Sequence, residues 1–427
     1  MNLNKKYVNL ITFILLFGCA QGFAQTTDSL DVKIGQMILI GFPGSKVDDK
    51  VLDEIRQGKV GSIIIFEKNI PAKNSYAELK KITWTYQHAA PIPLFISIDQ
   101  EGGKVNRLKE KYGFPRSVTA ARLGKFTPDS VQFYAETTAA TLAGLGINVN
   151  FAPVVDLAVD PTNPAIVKPE RAFSSQEDSV TVFAREVIRQ HRKLGVISVL
   201  KHFPGHGSSK DDTHLGIADV TNTWNIRELY PYRSLIDSGE VDAIMTAHIV
   251  NKKLDPKGNP GTLSKKVIDS LLRKQFHYDG VIFSDDMQMH AITKHYGLDE
   301  AIRMAINAGV DILTFSNNIS GSQERTVDKV HEIIKRFVLN GTISKERIDQ
   351  SYKRIMNLKR QLNGGRAEYY REALAEKQLE INTLKDQNEQ ALRTAQAMAE
   401  KAEAELKRVQ AMAEQAKKEK KRKRKND

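Results

Sequence analysis

The sequence predicts an α/β fold, a (β/α)8 TIM-type barrel with a C-terminal α-helical or coiled-coil tail, and three observations carry that prediction. Eight short apolar, β-branched runs recur between Gln36 and Ser316, amphipathic helical stretches follow nearly all of them, and ionisable side chains close five of the eight. Strands that alternate with helices are joined parallel, and eight such units in about 330 residues suit a closed barrel with decorated loops better than an open doubly wound sheet. An open sheet would show fewer strands and a glycine-rich first turn.

In chain order the runs are Gln36 to Phe42, Val60 to Phe66, Leu94 to Asp99, Asn148 to Leu157, Val196 to Lys201, Ala243 to His248, Gly280 to Asp285 and Ile312 to Ser316. The helical stretches between them include Tyr76 to His88, Ser130 to Leu145, Val180 to Leu194, Lys265 to Phe276, Glu300 to Ala308 and Glu324 to Leu339, with apolar residues at three- and four-residue spacing. Barrels of this class carry their chemistry at the C-terminal ends of the strands. Asp99, Asp156, Lys201 with His202, His248 and Asp285 close the third to seventh runs, so five ends supply polar groups to one rim.

The ends of the chain read differently. Met1 to Ala24 has Lys5 and Lys6, an apolar stretch from Val8 to Gly18 and Gly22-Phe23-Ala24 before Gln25, the pattern of a secretory signal peptide. Export to the periplasm or cell envelope is the expectation. Cleavage after Ala24 removes Cys19, the single cysteine, and with it any disulfide, thiolate metal site or cysteine nucleophile. Leu16-Phe17-Gly18-Cys19 also resembles a lipoprotein cleavage box, which would leave Cys19 lipidated.

Residues 30–362 are expected to form the barrel and 363–427 a basic helical tail, with Asn363-Gly364-Gly365 breaking the last barrel helix. In the tail, Ile381, Leu384, Asn388, Ala391, Ala395, Met398 and Ala402 follow an a/d heptad, an alanine-rich seam suited to weak self-association. A solvated lone helix fits the same pattern. The formal net charge of +12 does not imply nucleic-acid binding, because the tail and Lys5 and Lys6 hold half of the excess and no aromatic residues interleave the basic run Lys417 to Lys425. That run is either a solvated end or a contact for an anionic surface.

The densest chemistry lies in Lys201-His202-Phe203-Pro204-Gly205-His206-Gly207 and the following Asp212-Thr213-His214. Proline and glycine turn the chain back, so Lys201, His202 and His214 can converge. An Asp-x-His pair suits general acid/base work, because imidazole titrates near neutrality and a neighbouring carboxylate stabilises its cation. Phe283-Ser284-Asp285-Asp286-Met287 adds a carboxylate at the seventh strand end.

The spelling KHFPGHG followed by DTH resembles the signature of the β-N-acetylhexosaminidase (β-N-acetylglucosaminidase) branch of glycoside hydrolase family 3. Ile98-Asp99-Gln100-Glu101-Gly102-Gly103-Lys104-Val105-Asn106-Arg107 and Arg171-Ala172-Phe173-Ser174 resemble two further family motifs, with Lys104 where the family usually has Arg. The resemblance spans Ile34 to Leu362. It implies a retaining exo-glycosidase with Asp285 as nucleophile, His214 as acid/base and Asp212 orienting it, and with Asp99, Arg107, Arg171, Lys201 and His202 binding substrate. The implied substrates are GlcNAc-containing glycans, peptidoglycan fragments among them.

Rival readings stay open beside this one. His202, His206, Asp212 and His214 could hold zinc, although the family motif accounts for the same residues with no metal and no cofactor. Gly102-Gly103-Lys104 lacks the other residues of a phosphate loop. A β-GlcNAc phosphorylase and a non-catalytic wall-binding barrel are the functional alternatives.

Overall fold

A computed structural model describes residues 29–211, 216–318 and 327–423. Its centre is a closed barrel of eight parallel strands in chain order: β1 Ile38–Gly41, β2 Ser62–Ile65, β3 Phe95–Ile98, β4 Val149–Asn150, β5 Ile197–Phe203, β6 Ala243–Thr246, β7 Val281–Asp286 and β8 Ile312–Phe315. Closure comes from β8 pairing with β1 in the register Ile38 to Leu313 and Ile40 to Phe315. Such strands are covered on both faces, which is why they read as unbroken apolar runs rather than alternating ones. Six of the predicted runs enclose their strand, and the fifth and seventh stop two and one residues short of its end, at Lys201 and Asp285 against Phe203 and Asp286.

The fourth run is the least complete. Its regular ladder ends at Asn150, close to Pro153, which has no N–H to donate, and beyond it contact with β5 is irregular: Val199 N donates to Ala152 O at 3.1 Å and an isolated bridge joins Val154 to Lys201. The segment from Phe151 to Gln176 is therefore a long loop over the C-terminal mouth.

Around the barrel lie α1 Leu30–Gln36, α2 Asp49–Arg56, α3 Ser75–Ala89, α4 Pro128–Gly144, α5 Glu177–Lys193, α6 Tyr230–Asp237, α7 Lys266–Gln275 (wound as a π-helix), α8 Leu298–Ala308, α9 Val327–Leu339 and the first turns of α10, a helix that runs Lys345–Lys423. Local chemistry starts several of them. Ser29 and Asp48 accept from the amides of Val32 and Val51 at the starts of α1 and α2, and Pro128 opens α4 where its missing N–H costs nothing.

Phe95, Phe151 and Phe283 fill the barrel interior, with centroids 5.4 and 6.3 Å from Phe283 to Phe151 and Phe95. At the N-terminal end Lys359, from α10, is fully buried, donates to Gln36 Oε1 at 2.6 Å and Gly61 O at 2.8 Å, and sits over the Phe95 ring. Nearby, the buried Asp311 carboxylate accepts from Arg273 of α7 at 2.6 Å and from Ser351 and Arg347 of α10 at 2.7 and 3.2 Å. These contacts tie α7 and the start of α10 to β8, leaving the opposite mouth to the loops.

The chain divides into two units at Gly365 and Arg366. One expectation needs correction here: α10 is helical through Asn363-Gly364-Gly365 and does not break. A glycine inside a helix costs only about 1 kcal/mol, no proline blocks the hydrogen-bond ladder, and the flanking sequence is rich in good helix formers. In the second unit the side chains of 387–399 are exposed, Leu392 and Met398 among them. Among the described residues no helix is long and apolar enough to cross a membrane. The predicted signal segment, residues 1–24, lies outside the described residues.

Candidate active site

At the C-terminal mouth of the barrel a cavity of about 290 Å³ is lined by Asp99, Arg107, Arg171, Lys201, His202 and Asp285, six of the eight residues expected from sequence. They arrive from four strand ends and their loops: Asp99 and Arg107 after β3, Arg171 in the loop after β4, Lys201 and His202 in β5, and Asp285 in β7. The other two, Asp212 and His214, lie outside the described residues. Ile64, Phe66, Phe151, Met245 and Met289 supply apolar walls.

The binding groups form one ionic chain. Lys201 Nζ donates to Asp99 Oδ1 at 2.8 Å and pairs with Glu101 Oε1 at 2.6 Å, and Arg171 donates to both Glu101 oxygens at 2.8 Å. Arg107 reaches Asp99 Oδ2 at 3.4 Å while its guanidinium lies over the Phe66 ring. Burial alone would raise the Asp99 and Glu101 carboxyls, but the cations beside them outweigh it: Lys201 and Arg107 lower Asp99, and Arg171 and Lys201 hold Glu101 well below the usual carboxylate range. Glu101 thus compensates two buried cations. The Asp99 and Glu101 carboxylates therefore stay ionised and aimed before any substrate arrives.

His202 is fixed from both sides. Its Nδ1 lies 2.7 Å from Asp156 Oδ2 and its Nε2 3.2 Å from Arg171 Nη2, which fits an Nδ1–H that donates and an Nε2 that accepts. Asp156 is fully buried and also accepts from the amides of His202 and His206 at 3.2 and 2.8 Å. Burial opposes its ionisation and the neighbouring His202 outweighs it, so the carboxyl is lowered. The His206 imidazole is depressed to about 4, chiefly by burial. With both His202 nitrogens engaged by Asp156 and Arg171, that ring is poorly placed to serve the zinc set read from sequence.

Asp285 stands half-buried at the end of β7, and its Oδ1 accepts from the Asp286 amide at 2.8 Å. Asp286 itself turns to β8, where Ser316 Oγ donates to one oxygen and the amides of Gln288 and Ser316 to the other at 3.0 and 3.3 Å. Burial pushes its carboxyl up to about 6 despite those bonds. His248, another strand-end residue, lies 2.9 Å from the Asp286 carbonyl through Nε2.

Sequence reasoning gave no site role to Glu101 or Asp286, named Asp156 only as a rim residue, and gave His206 a part only in the zinc alternative. Glu101 and Asp286 stood inside quoted motifs and Asp156 at a strand end, so position in the motif was the available signal. Glu228, in the turn before α6, carried none.

Comparisons with known proteins agree with this fold. The family described as Glycosyl hydrolase family 3 N terminal domain matches residues 29–358. A Beta-hexosaminidase of Tolumonas auensis is 33% identical over 291 residues, which is 67% of this chain and 84% of that protein. Among solved structures, a glycoside hydrolase family 3 beta-N-acetylglucosaminidase from Paenibacillus sp. str. FPU-7 superposes with a TM-score of 0.71 at 34% identity, over 78% of this chain and 63% of that one. A Beta-N-acetylhexosaminidase from Beutenbergia cavernae gives a TM-score of 0.69 at 27% identity, over 78% of this chain and 98% of that one.

Proposed function

The chain belongs to glycosyl hydrolase family 3, and on that premise we propose that it is an exo-acting, retaining β-N-acetylglucosaminidase. The observation that carries this reading is the convergence of Asp99, Arg107, Arg171, Lys201, His202 and Asp285 on one cavity. At about 290 Å³ it lies at the low end of small-molecule sites, which run from roughly 300 to 1,000 Å³. Room for one ring favours release of a terminal sugar.

In the proposed reaction Asp99, Lys201 and Arg107 hydrogen-bond the hydroxyls of the terminal sugar, and Arg171 and His202 hold its other substituents. The Asp285 carboxylate, oriented by the Asp286 amide, attacks the anomeric carbon as the glycosidic bond breaks. His214 gives its proton to the departing oxygen, then takes one from water, which displaces Asp285 and restores the original anomer. Asp212 stabilises the imidazolium between the two steps.

Peptidoglycan fragments with a terminal β-GlcNAc are the proposed substrate, met in the periplasm or envelope after export directed by residues 1–24, with Cys19 as an alternative lipid anchor. The Lys417 to Lys425 run is proposed to make weak anionic contacts there.

The test is turnover of 4-nitrophenyl β-GlcNAc by the purified chain, with the first-formed anomer identified by NMR. Retained β configuration and loss of on the order of 10³-fold or more in kcat for Asp285→Asn are expected. Wild-type turnover in that variant would remove Asp285 from its role. Incubation with muropeptides and chito-oligosaccharides, followed by mass analysis, identifies the leaving group.

A further inference from the structure

Glu228 has no part in the reaction above, yet it is fully buried one turn before α6 and its carboxylate grips the backbone that follows β5. Its Oε2 accepts from the Gly207 amide at 2.7 Å and its Oε1 from Ser208 Oγ at 2.5 Å. The approach is close: a Cβ on Gly205, whose φ is +112°, would stand 2.5 Å from Glu228 Cβ, and one on Gly207 would stand 1.9 Å from the Leu157 carbonyl. Trp224 Nε1 donates to Pro204 O at 3.2 Å from the same segment as Glu228.

On the opposite side the stem is held by Asp156, which accepts from His206 N, and by Asn163, whose Nδ2 donates to His206 O at 2.8 Å and Gly207 O at 3.0 Å. Every one of these partners is a buried side chain from another part of the barrel. Pro204 to Ser208 is therefore a clamped strap, and four residues after it the chain reaches Asp212.

We infer that Glu228 is a positioning residue for leaving-group protonation: by holding Gly207 and Ser208 it sets where the chain leaves β5 toward Asp212 and His214. The inference rests on the acid/base role proposed above for His214. A shift of about 1 Å in a proton donor can lower a rate by about 10²-fold, so a clamp on the stem of its loop has kinetic leverage. Burial, chiefly, pushes the Glu228 carboxyl up to about 7, and the groups facing it are Asp156, the Tyr232 phenol and, beyond Asp156, the His206 imidazole. Once protonated, Glu228 holds Gly207 and Ser208 only through neutral hydrogen bonds, with its own hydroxyl able to donate to Ser208 Oγ, so the clamp weakens as pH falls through neutrality.

The experiment compares Glu228→Gln and Ser208→Ala with wild type on two substrates, 2,4-dinitrophenyl β-GlcNAc and chitobiose. The first leaving group departs without a proton and the second needs one. Both variants are expected to lose roughly 10- to 100-fold in kcat/KM on chitobiose and far less in kcat/KM on the aryl substrate, because kcat/KM reports the bond-breaking step while the later water attack is common to both. In Glu228→Gln the decline of chitobiose turnover below about pH 7 should disappear. Equal losses on both substrates, or wild-type rates and pH profiles in both variants, would overturn the inference while Asp285→Asn stays inactive. An inactive wild type, or an active Asp285→Asn, would instead defeat the proposed function and this inference with it.

Discussion

The buried Asp156 carboxylate accepts from His202 Nδ1 at 2.7 Å, and on the far side of the ring Arg171 meets Nε2 at 3.2 Å. An acceptor at Nδ1 and a donor at Nε2 leave the imidazole one orientation and one tautomer, so His202 presents a fixed face to the cavity. Three hydrogen bonds from the β5 end converge on that one carboxylate, which makes its charge the element most exposed to mutation.

Asp156→Asn keeps the shape and removes the charge. Loss of about 1.5–3 kcal/mol of stability is expected, the typical worth of a hydrogen bond to a charged group, together with a raised KM as His202 loses its orientation. Because the folded carboxyl is lowered, this contribution is present in full above the unfolded value near 3.8, starts to fall there, and is lost as pH drops on through the lower folded value. Urea titration at pH 7 and pH 3 would show a gap between wild type and variant at pH 7 that narrows at pH 3.

Glu101→Gln leaves Lys201 and Arg171 as buried cations with too little compensating charge. Removing one partner of a buried ion pair typically costs 3–5 kcal/mol, and about that loss is expected here. A chemical melt at neutral pH measures it, and a loss under ~1 kcal/mol, the scale of an exposed pair, would show that the chain of charges is not cooperative.

Lys359→Met addresses the opposite end of the barrel. Burial lowers the ammonium of Lys359 to about 7 from 10.5, so between those values the unfolded chain binds more protons than the folded one and stability rises with pH, by at most ~1.4 kcal/mol per unit from this group. The methionine variant should lose that slope. Tm recorded from pH 7 to 10 in both proteins checks it, and parallel curves would rule out Lys359 as the source.

A chain ending at Gly365 should unfold at the same midpoint and turn over substrate at the same rate, because the described tail side chains of 387–399 are exposed. If the heptad seam associates, only the full chain will show a mass that rises with concentration in sedimentation equilibrium.

Strand positions were readable because a parallel strand covered on both faces spells a continuous apolar run, as Ser62–Ile65 and Ala243–Thr246 do. Rim residues were readable because they follow those runs directly, as Asp99 and Asp285 do. The continuity of α10 was misread for a local reason, since two glycines weaken a helix without ending it.

By itself the sequence determined the barrel, its polar rim and the motif residues that meet in the cavity, since periodicity and strand ends are local properties of the chain. Tertiary structure alone decided which charges neutralise one another and which carboxylate holds the backbone after β5. Glu101 meets Arg171 across 70 residues, Gln36 meets Lys359 across 323, and Glu228 finds Gly207 only where a turn packs against β5. Such pairs form because barrel closure takes them out of water together, and a buried polar group must then find whatever partner the closure brings near.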